Sequence, residues 1–101
     1  MTNILIVCTN QRIAETIARL IDQREDWNAF IALSLQSALE RCNAIKFDIA
    51  LIGSGITATD EEEIKLHLKK LEMKTQVVKH YGGGSGLLYA EIYQALDKNN
   101  H

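Results

Sequence analysis

The sequence predicts a three-layer α/β/α sandwich around a four-stranded parallel sheet of order 2-1-3-4, and three observations carry that expectation. Short β-branched runs alternate with stretches of helical period along all 101 residues. Two of those runs, residues 4–8 and 49–52, are apolar on both faces, as strands covered by helices on either side must be. Nothing reads as a linker, repeat or low-complexity tract, so residues 1–98 form one domain with 99–101 as a frayed end. Alternating strand and helix units joined by right-handed crossovers leave little room for another architecture.

Residues 3–9 make the first strand, central because both faces are apolar. Over residues 11–26, Ile13, Ile17, Ala18, Leu20 and Ile21 fall at helical spacing, with Thr9 or Asn10 as the cap. Residues 27–33 form a second strand of mixed polarity, suited to an edge. Ser34 caps a second helix whose inward stripe is Leu35, Ala38, Leu39 and Cys42. The run over 47–52 is a second central strand, ending abruptly at Gly53-Ser54-Gly55. Thr59 and Glu62 then read as a capping box, and the acidic stretch from Asp60 to Glu63 matches a helix dipole rather than a metal. Ile64, Leu68 and Leu71 continue that helix inward, with His67 in solvent. Residues 75–81 form the fourth strand, the glycine-rich run 82–86 a loop, and 87–98 a last helix inward through Leu88, Ile92, Ala95 and Leu96.

Composition narrows the function classes. Eleven Lys plus Arg against thirteen Asp plus Glu give a net charge of -2, which provides no general attraction to nucleic acid or an anionic membrane. No apolar run approaches the roughly 20 residues of a membrane span, and no basic leader opens the chain, so a soluble cytoplasmic protein is expected. Cys8 and Cys42 are too few for a disulfide framework, and no zinc set surrounds them. No cofactor and no metal are expected.

In the order 2-1-3-4 the connection reverses between the first and third strands, so a ligand is expected in the crevice at their carboxyl ends. Thr9, Asn10, Arg12, Gly53 and Ser54 line that crevice by topology, with His80, Gly83, Gly84, Ser85 and Gly86 alongside. The amides of Gly82 to Gly86 and the helix start at Leu87 offer a place for a small anion, with Ser85 adding a hydroxyl and His80 a titratable neighbour. The competing account of the same run is a connection where backbone packs tightly. The chain contains no GxxxxGK[ST] loop, so a nucleotide P-loop is excluded. Ser54 beside His80 would suit a hydrolase, but no acid is evident to orient the imidazole.

The strand Ile4-Leu5-Ile6-Val7, the segment Ser37-Ala38-Leu39-Glu40 and above all Phe47-Asp48-Ile49-Ala50-Leu51-Ile52 resemble a response-regulator receiver domain, of flavodoxin-like fold. That resemblance implies an acidic pair after the first strand to hold Mg²⁺ and a phosphoacceptor Asp at the end of the third. Here those positions are Cys8-Thr9 and Gly53. Without carboxylates a hard cation lacks anionic ligands and no nucleophile can take a phosphoryl group. Asp48 lies about 17 Å from Gly53 at ~3.3 Å per residue, at the wrong end of its strand. Lys79 matches the receiver's lysine only if a strand is skipped. The implied function is a non-catalytic binding or regulatory module.

Cys8 at the end of the first strand also resembles the phosphorylated Cys of sugar-specific IIB phosphotransferase components of the lactose and cellobiose type. That likeness implies a phosphocarrier using Cys8, although Thr9-Asn10-Gln11-Arg12 lacks the glycines that wrap phosphate there. Low-molecular-weight tyrosine phosphatases also begin with Val-Cys, but require Arg six residues on, and Arg12 follows Cys8 at four. Tyr81, and Tyr89 with Tyr93 four residues apart on the last helix, read as a partner surface beside an edge strand. The expected partner is a protein or a second copy of the chain, joined through the fourth strand and last helix.

Overall fold

A computed structural model describes residues 1–80 and 84–99. The elements run β1 (Thr2–Val7), α1 (Gln11–Asp22), β2 (Trp27–Ala32), α2 (Leu35–Ala44), β3 (Ile49–Ile52), α3 (Ala58–Lys70), β4 (Gln76–Lys79) and α4 (Gly84–Asn99). The sheet order is β2-β1-β3-β4 with every pair parallel, as the alternating pattern predicts. This is the flavodoxin-like α/β sandwich.

The period-2 geometry of a strand divides the core into two layers. Ile4, Ile6 and Cys8 with Ile49 and Leu51 face Ile17 and Ile21 of α1 and Leu88 and Ile92 of α4. Leu5 and Val7 with Ala50 and Ile52 face Ala38 and Cys42 of α2 and Ile64 and Leu68 of α3. α1 and α4 therefore cover one face of the sheet, and α2 and α3 the other. β2 and β4 are the edges.

Local chemistry fixes the helix starts. Asn10 Oδ1 accepts from Ile13 N at 3.1 Å and Ser34 Oγ from Ser37 N at 3.1 Å, each meeting an otherwise orphaned amide. α3 starts two residues earlier than its sequence suggests: Thr57, not Thr59, is the cap, with Oγ1 accepting from Asp60 N at 3.1 Å. Ala58 favours helix and nothing resists extension back to the preceding loop. α1 is shorter than expected, ending at Asp22, whose Oδ1 accepts from Ala29 N and ties the helix end to β2. α4 begins at Gly84, so residues 84–86 belong to the helix rather than to a loop, and it reaches Asn99, one residue past the expected end.

Three side chains sit differently from their expectation. Glu61 is buried, aligned with Ile64 and Leu68 on one stripe, and pairs with Lys65 at 3.0 Å and Lys79 at 3.7 Å. His67 is not free in solvent; its Nε2 meets Asn43 Oδ1 at 2.7 Å between α3 and α2. Leu71 is 36% exposed, because α3 has ended at Lys70. No helix among the described residues is long and apolar enough to cross a membrane.

Candidate functional site

The loops that follow β1 and β3 are stitched together at the carboxyl edge of the sheet. Gly53 N donates to Val7 O at 2.8 Å and Thr9 N to Ser54 O at 3.0 Å, extending the β1–β3 pairing beyond the strands. Thr9 Oγ1 also donates to Ser54 O, at 3.3 Å. Gly55 has φ +85°, and a Cβ there would stand 1.7 Å from Thr9 Oγ1, so the Thr9 side chain fills the space that glycine leaves. A Cβ on Gly53 would lie 3.2 Å from Cys8 Cβ and 3.5 Å from Cys8 Sγ.

Cys8 is fully buried, its N donates to Ala32 O, and its Sγ contacts Asn10 O at 3.5 Å. The sulfur thus belongs to the core beneath the loops. Cys42 is likewise buried, and desolvation pushes its thiol above the usual range. Asp48 lies at the opposite edge of the sheet, with Oδ2 accepting from Asn3 N at 2.8 Å.

Beside the stitched loops, α1 and α4 enclose a cleft of about 640 Å³. Arg12, Gly53, Ser54, His80 and Gly84, all expected near the crevice, line it. Thr9 and Asn10 are engaged instead with Ser54 and the α1 cap, and Ser85 and Gly86 are exposed on the first turn of α4. Gly83, Gly82 and Tyr81 lie outside the described residues. The sequence reading missed the contribution of Ile13, Thr16 and Leu20 as a second stripe on α1, together with Leu88, whereas Ile56 belongs to the loop of residues 53–56 expected at the crevice. Ala14, Ile17 and Ile21 are enough to cover the sheet, and Ile13 remains 42% exposed. Apolar residues in excess of what the sheet contact needs are the signal.

His80 is 8% exposed, and Nδ1 donates to Glu91 Oε1 of α4 at 2.5 Å. A carboxylate is therefore placed to orient this imidazole, one that the sequence reading did not find. Glu91 fixes Nδ1 as the donor and leaves Nε2 toward the cleft or solvent, since no buried side-chain nitrogen lacks a partner among the described residues. Ser54 and His80 share the cleft, but no hydrogen bond joins their side chains among the described residues.

The expected aromatic ridge on α4 is partly folded inward. Tyr89 donates from its hydroxyl to Leu20 O at 2.8 Å, and its ring centroid is 5.9 Å from that of Trp27. Arg24 lies 4.4 Å from the Tyr89 ring. Tyr93 packs 5.2 Å from Trp27 by centroids yet stays 51% exposed. No group of three or more potential metal ligands exists among the described residues.

No protein-family model matches the sequence, and no curated protein does either. Solved structures do match. The N-terminal domain of a response regulator/sensory box/GGDEF three-domain protein from Carboxydothermus hydrogenoformans has a TM-score of 0.75 at 18% identity, covering 99% of this chain and all of its own. A CheY-like response regulator receiver domain protein from Methanospirillum hungatei JF-1 has a TM-score of 0.68 at 14% identity, with 99% and 97% covered. A fusion carrying a yeast Spc42 trimeric coiled coil has a TM-score of 0.78 at 19% identity, with 98% and 81% covered. The chain thus has the receiver-like fold.

Proposed function

We propose that this chain is a receiver-like module without phosphoryl-transfer chemistry, acting in the cytoplasm as a binding or regulatory unit through its carboxyl-end cleft and α4. The observation that carries this reading is the close approach of Gly53 to Cys8, 3.2 Å from a Cβ built on the glycine. The position that the receiver resemblance assigns to a phosphoacceptor has no side chain, and a Cβ there would sit tightly against Cys8, which would have to give by a few tenths of an ångström. Cys8 and Thr9, in place of an acidic pair, offer a buried thiol and a hydroxyl already bonded to Ser54 O. Two buried, unpaired thiols suit a reducing compartment.

Incubation with acetyl phosphate and Mg²⁺, followed by intact-mass measurement, tests the reading. The expected result is no added phosphate. A phosphoaspartate overturns it, and a phosphocysteine at Cys8 would support the phosphocarrier alternative. Self-association belongs to the same reading: β4 is an edge strand and Tyr93 stands exposed beside Trp27. A sedimentation mass of one chain at high concentration would remove that part alone.

A further inference from the structure

The cleft between α1 and α4 has a polar end and an apolar floor. Arg12, Ser54 and His80 stand at the carboxyl edge of the sheet, while Ile13, Ile17, Leu20 and Leu88 line the rest. From Arg12 to Leu20 the helix rises about 12 Å at ~1.5 Å per residue, so the floor is long and narrow rather than a round pit. Among the described residues, none that lines the cleft is acidic. Arg12 has no ion-pair partner among the described residues, and the nine-tenths-buried His80 has one ring nitrogen with no hydrogen-bond partner among them.

Resting on the binding-module reading, we propose that this cleft binds a straight-chain aliphatic carboxylate, its head at Arg12 and its tail along Ile13, Ile17, Leu20 and Leu88. One guanidinium matches one carboxylate in charge and fork geometry. A phosphate ester would bring a second negative charge, and Arg12 is the one Lys or Arg among the described lining residues. A flat aromatic ligand gains from stacking on rings, and among the described residues no Phe, Tyr or Trp lines the cleft. An extended chain of eight carbons, about 9 Å long, covers most of the ~12 Å from Arg12 to Leu20. The volume lies within the usual range for small-molecule sites.

The test is titration of the full chain with sodium octanoate, followed by backbone amide NMR. Saturable shifts are expected for residues 12–20 and 53–56 and for Leu88. Each buried methylene strengthens binding about three- to fourfold, so hexanoate should bind about tenfold more weakly than octanoate. Octylammonium should bind far more weakly than octanoate. Arg12→Gln, at an exposed position that leaves the core untouched, should weaken octanoate about tenfold. The proposal is overturned if octylammonium binds as tightly, if Arg12→Gln changes nothing, or if no shift saturates in the millimolar range. Loss of octanoate binding without phosphate uptake would remove this ligand class alone; phosphate uptake on aspartate with octanoate still bound would remove the non-catalytic reading alone.

Discussion

His80 at the end of β4 is held by Glu91 on α4, Nδ1 to Oε1 at 2.5 Å, with the His80 side chain 7% and the Glu91 side chain 19% exposed. The bond joins an edge strand to the helix that follows it and fixes the orientation of a ring lining the cleft. The pair therefore has a structural consequence independent of any ligand.

Removing the acceptor leaves a buried donor unpaired. Glu91→Ala should lower stability by about 1–3 kcal/mol, whereas Glu91→Gln, which keeps an oxygen in reach of Nδ1, should lose less. Urea unfolding of the three proteins checks this. Equal midpoints for the parent and Glu91→Ala would show that the pair contributes nothing.

An aspartate placed at residue 53 should not confer phosphoryl-transfer chemistry. In Gly53→Asp the new Cβ meets Cys8 Cβ, which is anchored to its own backbone and cannot rotate away. Destabilisation of about 1–3 kcal/mol is expected from overpacking, with no acyl phosphate after acetyl phosphate treatment. Thermal unfolding and intact mass report the two parts. A stable, labelled Gly53→Asp protein would mean that the site is merely unfurnished rather than closed.

Thr9 and Gly55 should be energetically coupled. Gly55→Ala forces a side chain into a backbone of φ +85° and into Thr9 at the same time. The first cost is about 1 kcal/mol and cannot be relieved by a neighbour. The second can be relieved in part, so Thr9→Ala with Gly55→Ala should be more stable than the sum of the single effects by about 1 kcal/mol. Strict additivity in a double-mutant cycle would contradict the contact.

The layers were legible in the sequence because two-faced apolar strands report their own burial. Ile4, Ile6 and Cys8 against Leu5 and Val7 specify which helices each set must meet, and the order β2-β1-β3-β4 follows from the more polar β2. The start of α4 was not legible: Gly84 and Gly86 oppose helix by propensity, and the stripe of Leu88, Ile92 and Ala95 packing on the sheet overrides them. Two threonines two residues apart could each cap α3, and only the course of the loop from Gly53 selects Thr57. Of the site, Arg12, Ser54 and His80 followed from topology alone. Glu91 did not, because it lies on the flank of the Leu88–Ile92 stripe and gains its role only when β4 and α4 meet. Glu61 was detectable: its spacing from Ile64 and Leu68 places it on the buried stripe.

Cys42 makes alkaline stability a test of core packing. Burial raises its thiol above the ordinary value of 9.0, so above that pH an unfolded chain releases a proton that the folded chain retains. The unfolded state then binds fewer protons, and stability falls as pH rises beyond about 9.0 until the folded thiol itself ionises. The slope contributed by one such group approaches about 1.4 kcal/mol per pH unit. Other groups titrate in the same range, so the informative quantity is the difference between the parent and Cys42→Ala. That difference should be constant at neutral pH and shift in favour of Cys42→Ala above pH 9.0 in urea unfolding under reducing conditions. A difference independent of pH would mean that the thiol reaches solvent, and with it that α2 packs less closely on β1 and β3 than the core layer of Leu5, Val7, Ala38 and Ala50 requires.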